Sequence, residues 1–143
     1  MYSKVFVANR GAVAARVLRA LARLNVSSVA AFSDADAGAH YLGAAGDAVR
    51  IGEGAPRQSY LNQENILTAA RASGCDAIHP GYGFLSENAE FAQRVCDAGL
   101  AFIGPSPRHI AAMGNKARAR SLACEQGLPV AAGSESLVPG CPD

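Results

Sequence analysis

The stretch Ile78–Asn88, IHPGYGFLSEN, decides how the chain is read. It packs a histidine, a proline, two glycines two residues apart, two aromatics and then Ser-Glu-Asn into one short run. The residues just before it, CDAIHP (75–80), read as a strand that stops at a proline. Those after it, SENAEFAQRVCD (86–97), predict a helix capped by Ser86, with Ala89, Phe91, Ala92 and Val95 near one face and Gly99 at its end. Gly81-x-Gly83-x-x-Ser86 therefore lies after a strand and before a helix N-terminus, where phosphate loops lie. Three readings stand side by side. A dinucleotide loop fits the placement, but the third position is serine and no acidic residue ends a following strand. A tight turn would plug Phe84 and Leu85 into the core. A substrate-lining loop would leave Tyr82 exposed between two permissive glycines, at the carboxyl end of a strand where ligands collect in open α/β sheets.

Upstream, KVFVA (4–8) is a buried-strand pattern, and NRG makes a turn. Residues 11–25 carry Val13, Val17, Leu21 and Leu24 at helical spacing, with Asn25 placed to end the helix. SVAAFS (28–33) is a second strand, so the chain opens as strand, helix, strand, which implies a parallel pair with a right-handed crossover. The first turn, ANRGAVA, also follows a strand and opens a helix. With one glycine it is a weak nucleotide loop; the other reading has Asn9 and Arg10 holding neighbouring loops by hydrogen bonds. Arg16, Arg19 and Arg23 fall on one stripe of the helix, either as a solvated face or as a partner surface.

Residues 34–46 read as turns with a short helix, 47–52 as a weak strand and 52–58 as a loop. Residues 62–73 predict a helix with Asn62 as its cap and Gly74 as its stop. Further on come a strand at 100–104, a short helix at 106–114 with Pro107 in its first turn, a helix at 115–127 closed by Gly127, and a strand at 128–133. The turn-rich tail, 134–143, has no core of its own. Strands alternating with helices predict an α/β fold of layers around a mostly parallel sheet, with no internal repeat.

Composition narrows the function. The 143 residues are half apolar and 17% charged, with a formal net charge of +1. That suits a globular chain and argues against bulk electrostatic binding of nucleic acid or anionic membrane. No apolar run reaches the roughly 18 residues of a membrane span, and no signal-peptide pattern opens the chain. The expected location is the cytoplasm. Cys75, Cys96, Cys124 and Cys141 show no CxxC pairing and read as small apolar residues in a reducing compartment. His40, His79 and His109 lack metal-ligand spacing, and no metal site is expected. Paired catalytic carboxylates and a G-x-S-x-G elbow are both missing. Lys116, Arg118 and Arg120 lie near a helix start, where a lysine either stays solvated or reaches a phosphate.

Taken in order, ANRG (8–11), SDAD (33–36), SYLN (59–62), AIHPGYGFLSEN (77–88), FIGPS (102–106) and MGNK (113–116) strongly resemble the N-terminal segment of the biotin carboxylase component of biotin-dependent carboxylases. The likeness covers about residues 1–135. It implies a Rossmann-like three-layer αβα domain with a mostly parallel sheet over 1–133, preceding an ATP-grasp module. Residues 134–143 would begin the linker toward it. The implied activity of the full-length enzyme is ATP- and bicarbonate-dependent carboxylation of biotin, with ATP, Mg2+ and biotin as cofactors. The machinery would lie mostly beyond Asp143, so no catalytic residue is expected here and this segment alone would be inactive. The implied partners are the ATP-grasp and C-terminal domains of the same chain, biotin carboxyl carrier and carboxyltransferase components, and a second copy in a homodimer.

Residue by residue, the resemblance implies that Lys116 contacts an ATP phosphate. Tyr82 and Gly83 would border the biotin and bicarbonate pocket, with Glu87 and Asn88 bracing the loop or touching ligand. Arg16 and Arg19 would belong to the dimer helix. Two departures matter. Position 12 is alanine where the family has glutamate, which removes a brace for Arg10. Position 23 is arginine on the dimer helix, a charge change that would re-pair or weaken that interface. GNK (114–116) favours an acyl-CoA carboxylase over urea carboxylase-like relatives, and the same domain of a urea or pyruvate carboxylase is the alternative. The rivals of another class are a non-catalytic binding or assembly module and a dinucleotide-binding domain.

Overall fold

The computed structural model describes residues 2–131. Five strands form one sheet: β1 (Lys4–Val7), β2 (Ser27–Ser33), β3 (Asp47–Gly52), β4 (Ala77–His79) and β5 (Ala101–Phe102). Their order is β3-β2-β1-β4-β5, and every pairing is parallel. The helix α1 (Gly11–Arg23) joins β1 to β2, α2 (Gln63–Ala72) joins β3 to β4, and α3 (Ala89–Asp97) joins β4 to β5. Two helices follow, α4 (Pro107–Met113) and α5 (Lys116–Glu125).

The chain grows outward from β1 in one direction, then returns to grow in the other from β4. With right-handed crossovers this reversal puts α1 on one face and α2 and α3 on the other. The side chains of β1 obey the period of two. Val5 and Val7 pack with Ala14, Leu18 and Leu21 of α1. Phe6 and Ala8 point the other way, into a cluster with Ile66 of α2 and with Phe91 and Val95 of α3. The alternation expected from the sequence is thus a three-layer α/β sandwich, and the expected parallel opening pair is β1 with β2.

Several local expectations hold, and several are corrected. Asn62 caps α2, its side chain accepting from the Asn65 N–H at 3.1 Å. Asn25 ends the first helix region in the left-handed conformation, φ +55°. The cap of α3 is Asn88 and not Ser86: the Asn88 side chain accepts from the Phe91 N–H at 2.8 Å. The physical reason lies upstream. The Ser86 N–H donates to Gly83 O and the Asn88 N–H to Leu85 O, so the chain turns twice before the helix can start. β5 is shorter than the run 100–104 suggested. Residues 128–131 carry no strand, and the remainder of that expected strand, like the tail and Cys141, lies outside the described residues. Cys75 is buried, but Cys96 and Cys124 are exposed. Cys96 sits on the outer side of α3, and Cys124 on α5, a helix with no buried residue. On the α1 face, β4 and β5 are left beside a groove of about 590 Å3, lined by Val5, Val17, Leu21, Leu24 and Ile103 among others.

Candidate functional site

The direction of chain growth reverses between β1 and β4, and ligands of open α/β sheets bind outside the carboxyl ends of strands at such a switch point. Two loops flank it: Ala8–Arg10 after β1 and Pro80–Asn88 after β4. They are tied together. The buried Asn9 donates from Nδ2 to Pro80 O at 2.7 Å and to Tyr82 O at 3.0 Å. The Ala8 N–H donates to His79 O at 2.9 Å, extending the ladder by one residue. The Gly81 N–H donates to His79 Nδ1 at 3.0 Å, and burial lowers the pKa of this histidine, which keeps that nitrogen free to accept.

The glycines have different reasons to be glycine. Gly81 has φ +68°, and a Cβ there would stand 2.6 Å from both Asn9 Nδ2 and Val13 Cγ1. Gly83 has φ +71° but open space around it, so only its backbone shape excludes other residues. Phe84 follows at φ +43°, a costly shape for a bulky side chain. It is held there by stacking on Tyr60, with ring centroids 5.1 Å apart, and by Leu85, which is buried. Phe84 and Leu85 plug the core, as the tight-turn reading expects, while Tyr82 stands 76% exposed between the glycines.

Behind the loop lies a buried polar cluster that reading the sequence missed. Asp36, 6% exposed, accepts from Ser33 Oγ at 2.9 Å, from Tyr60 Oη at 2.9 Å and from Arg10 Nη2 at 2.5 Å. The Arg10 guanidinium also lies over the Tyr60 ring, 5.9 Å from its centroid. Tyr41 Oη, 3.2 Å from Tyr60 Oη, donates to Ala31 O at 2.9 Å. Burial opposes the charge on Asp36, but the donors from Tyr60, Ser33 and Arg10 outweigh it and hold the carboxyl below its ordinary range. Burial pushes the Tyr60 hydroxyl well up, helped by Tyr41 and Asp36, so it stays a donor. Arg10 is braced by Asp36, with alanine at position 12. Asp36 ends the stretch SDAD (33–36), and Tyr60 lies in SYLN (59–62). The usable signal was a carboxylate just past a strand end.

Residues 1–110 match the family model described as the biotin carboxylase N-terminal domain. The chain belongs to this family. Over 136 residues it is 49% identical to the mitochondrial pyruvate carboxylase of Mus musculus, covering 94% of this chain and 12% of that protein. Over 137 residues it is 50% identical to the mitochondrial methylcrotonoyl-CoA carboxylase subunit alpha of Oryza sativa subsp. japonica, covering 96% of this chain and 18% of that one. In three dimensions it resembles the biotin carboxylase domain of a thermophilic 2-oxoglutarate carboxylase bound to bicarbonate. That match has a TM-score of 0.90 and 41% identity, over 98% of this chain and 31% of the other. The chain thus spans under a third of the length of these relatives.

In this biotin carboxylase N-terminal domain, the residues singled out beforehand do not all meet. Tyr82 and Arg16 line the same groove, together with His79 and Gly81. Gly83 adjoins Tyr82 at an exposed position, and Arg19 is exposed on α1. Lys116 is exposed at the first position of α5, and it does not line that groove. Glu87 is exposed, while Asn88 is spent on capping α3. Among the described residues no group of three His, Cys, Asp or Glu side chains could hold a metal ion, and no helix is long and apolar enough to cross a membrane.

Proposed function

We propose that this domain serves, within a longer polypeptide, the ATP- and bicarbonate-dependent carboxylation of biotin. The observation that supports this most directly is the fold-wide likeness to a biotin carboxylase domain bound to bicarbonate. ATP, with its magnesium, supplies the energy for joining a carboxyl group from bicarbonate to biotin. In this reading Tyr82, presented by the glycine-flanked turn, borders the biotin and bicarbonate pocket, with Gly83 letting ligand approach the backbone. Lys116 brings a mobile positive charge to an ATP phosphate from an exposed helix start. The magnesium carboxylates, the bicarbonate-binding basic residues and the lid come from later domains. Arg16 and Arg19 face a second copy of the chain. The domain works in the cytoplasm, beside biotin carrier and carboxyltransferase components.

The final acceptor is proposed to be an acyl-CoA, on the strength of Gly114-Asn115-Lys116 and the rice methylcrotonoyl-CoA relative. A pyruvate acceptor is the second reading, favoured by the mouse relative. Supplying the assembled enzyme with each acceptor and following label from bicarbonate decides between them.

Full-length enzyme should hydrolyse ATP in a manner that needs both biotin and bicarbonate; protein with Lys116 intact that binds no ATP would end this reading. Lys116→Ala should weaken nucleotide affinity about tenfold through loss of a charged phosphate contact. Unchanged affinity by calorimetry would contradict that role. Tyr82→Ala should lower biotin-dependent turnover about tenfold while ATP affinity stays near wild type. Equal damage to both would count against its place at the pocket.

A further inference from the structure

We infer that Asn9 is a positioning residue for Tyr82, and that its carboxamide sets the direction in which the tyrosine enters the pocket. The inference deepens the proposed function and rests on the reading of Tyr82 as a pocket wall. Bonds from the Gly81 N–H to His79 Nδ1 and from the Ser86 N–H to Gly83 O shape the turn, but Gly81 and Gly83 have no side chain to tie it to the neighbouring strand. Asn9 supplies the missing hold. From Nδ2 it donates to Pro80 O and to Tyr82 O, one residue on each side of Gly81. Its Oδ1 accepts from the Arg10 N–H at 2.9 Å, so the amide is fixed at both ends and oriented with its nitrogen toward the loop. Its side chain is buried, 2% exposed, and it stands two residues past β1, the central strand of the sheet.

The far side of the loop has its own anchor in Phe84 stacked on Tyr60. Between these two anchors the backbone of Tyr82 is fixed, while its side chain is free to meet ligand. The contact of Asn9 with a would-be Cβ at position 81 shows how closely the parts fit. A displacement of about 1 Å at a substrate-contacting residue can cost on the order of a hundredfold in rate. Asn9 touches no expected substrate atom, and its effect must pass through the loop.

That route is what a double-mutant cycle tests in the full-length enzyme. Asn9→Asp keeps the shape but replaces both donors with an acceptor facing two carbonyl oxygens. It should lower biotin-dependent kcat/KM roughly ten- to hundredfold, with ATP affinity within twofold of wild type. Made in a Tyr82→Ala background, the same change should add less than about twofold. Asn9→Ser, shorter and with one donor, should fall between the two and serves if the aspartate variant does not fold. Gly81→Ala, which pushes on the same contact from the other side, should reproduce the loss. Additive penalties from Asn9 and Tyr82 would overturn the inference. So would a damaged Tyr82→Ala enzyme beside Asn9→Asp and Asn9→Ser variants of normal turnover. If Tyr82→Ala itself turns over normally, the pocket reading fails, and the positioning role falls with it.

Discussion

Phe91→Ala should destabilise the chain by about 3–5 kcal/mol, measured as a shift in the denaturant midpoint at constant slope. Phe91 is fully buried in the cluster shared by β1, α2 and α3. Its ring meets Phe102 edge-on, with centroids 6.1 Å apart and an interplanar angle of 83°, a geometry worth roughly 0.5–1.5 kcal/mol beyond area alone. The alanine would leave a cavity between a helix and the edge strand β5, and packed interiors relax only partly into such voids. Against a typical net stability of about 5–15 kcal/mol, that is a large fraction. The loop would feel it too, because Phe91 lies in the first turn of α3 and its N–H donates to the capping Asn88. Glu87→Ala, at an exposed position a few residues away, should stay within about 0.5 kcal/mol and serves as the control. A loss below about 1 kcal/mol for Phe91→Ala would mean that α3 does not pack as described.

Asp36→Ala is the other large effect, expected at about 2–3 kcal/mol near neutral pH. The change strips an acceptor from Ser33 and Tyr60 and a counter-charge from Arg10. The two hydroxyls are buried away from solvent, whereas Arg10 is half exposed and recovers some hydration. The pH dependence has a definite sign. The carboxyl of Asp36 titrates lower in the folded chain than its ordinary 3.8, so its contribution is complete above that value. It drains away as pH falls from there through the lower folded value. The variant should therefore differ most from wild type at neutral pH, and the two should converge in acid. Asp34, paired with Arg50, and Asp76, held by the Ser3 and Lys4 N–H groups, are also shifted down and leave both proteins some acid sensitivity. A gap that stayed constant down to strongly acidic pH would show that Asp36 is not held low.

Much of the fold could be read in advance because its signals are local. The stripe Val13, Val17, Leu21 and Leu24 announces a helix, the apolar run Val5, Phe6 and Val7 a buried strand, and Asn62 a cap. The order of strands is a different matter. Nothing local tells β4 to lie beside β1 instead of beside β3, and that choice creates the switch point. The site divides the same way. The glycines around Tyr82 signalled its exposure, and family likeness singled out Lys116 and Arg16. The Asp36, Tyr60 and Arg10 cluster joins three loops distant in sequence, so it could be seen only once the strands were in place. Ser86 misled because a good capping type stood two residues before the residue that the double turn delivers to the helix start.

The place of β1 has a consequence for how the chain is made. Of the five described strands, the earliest in sequence is the spine of the sheet, and one side of that spine stays bare until Ala77–His79 has been synthesised to pair with Val5–Val7. Such distant pairing is slow to form and leaves a nascent chain exposed to wrong partners in the meantime. Without β1, the pairs β3-β2 and β4-β5 would be two separate halves with nothing between them.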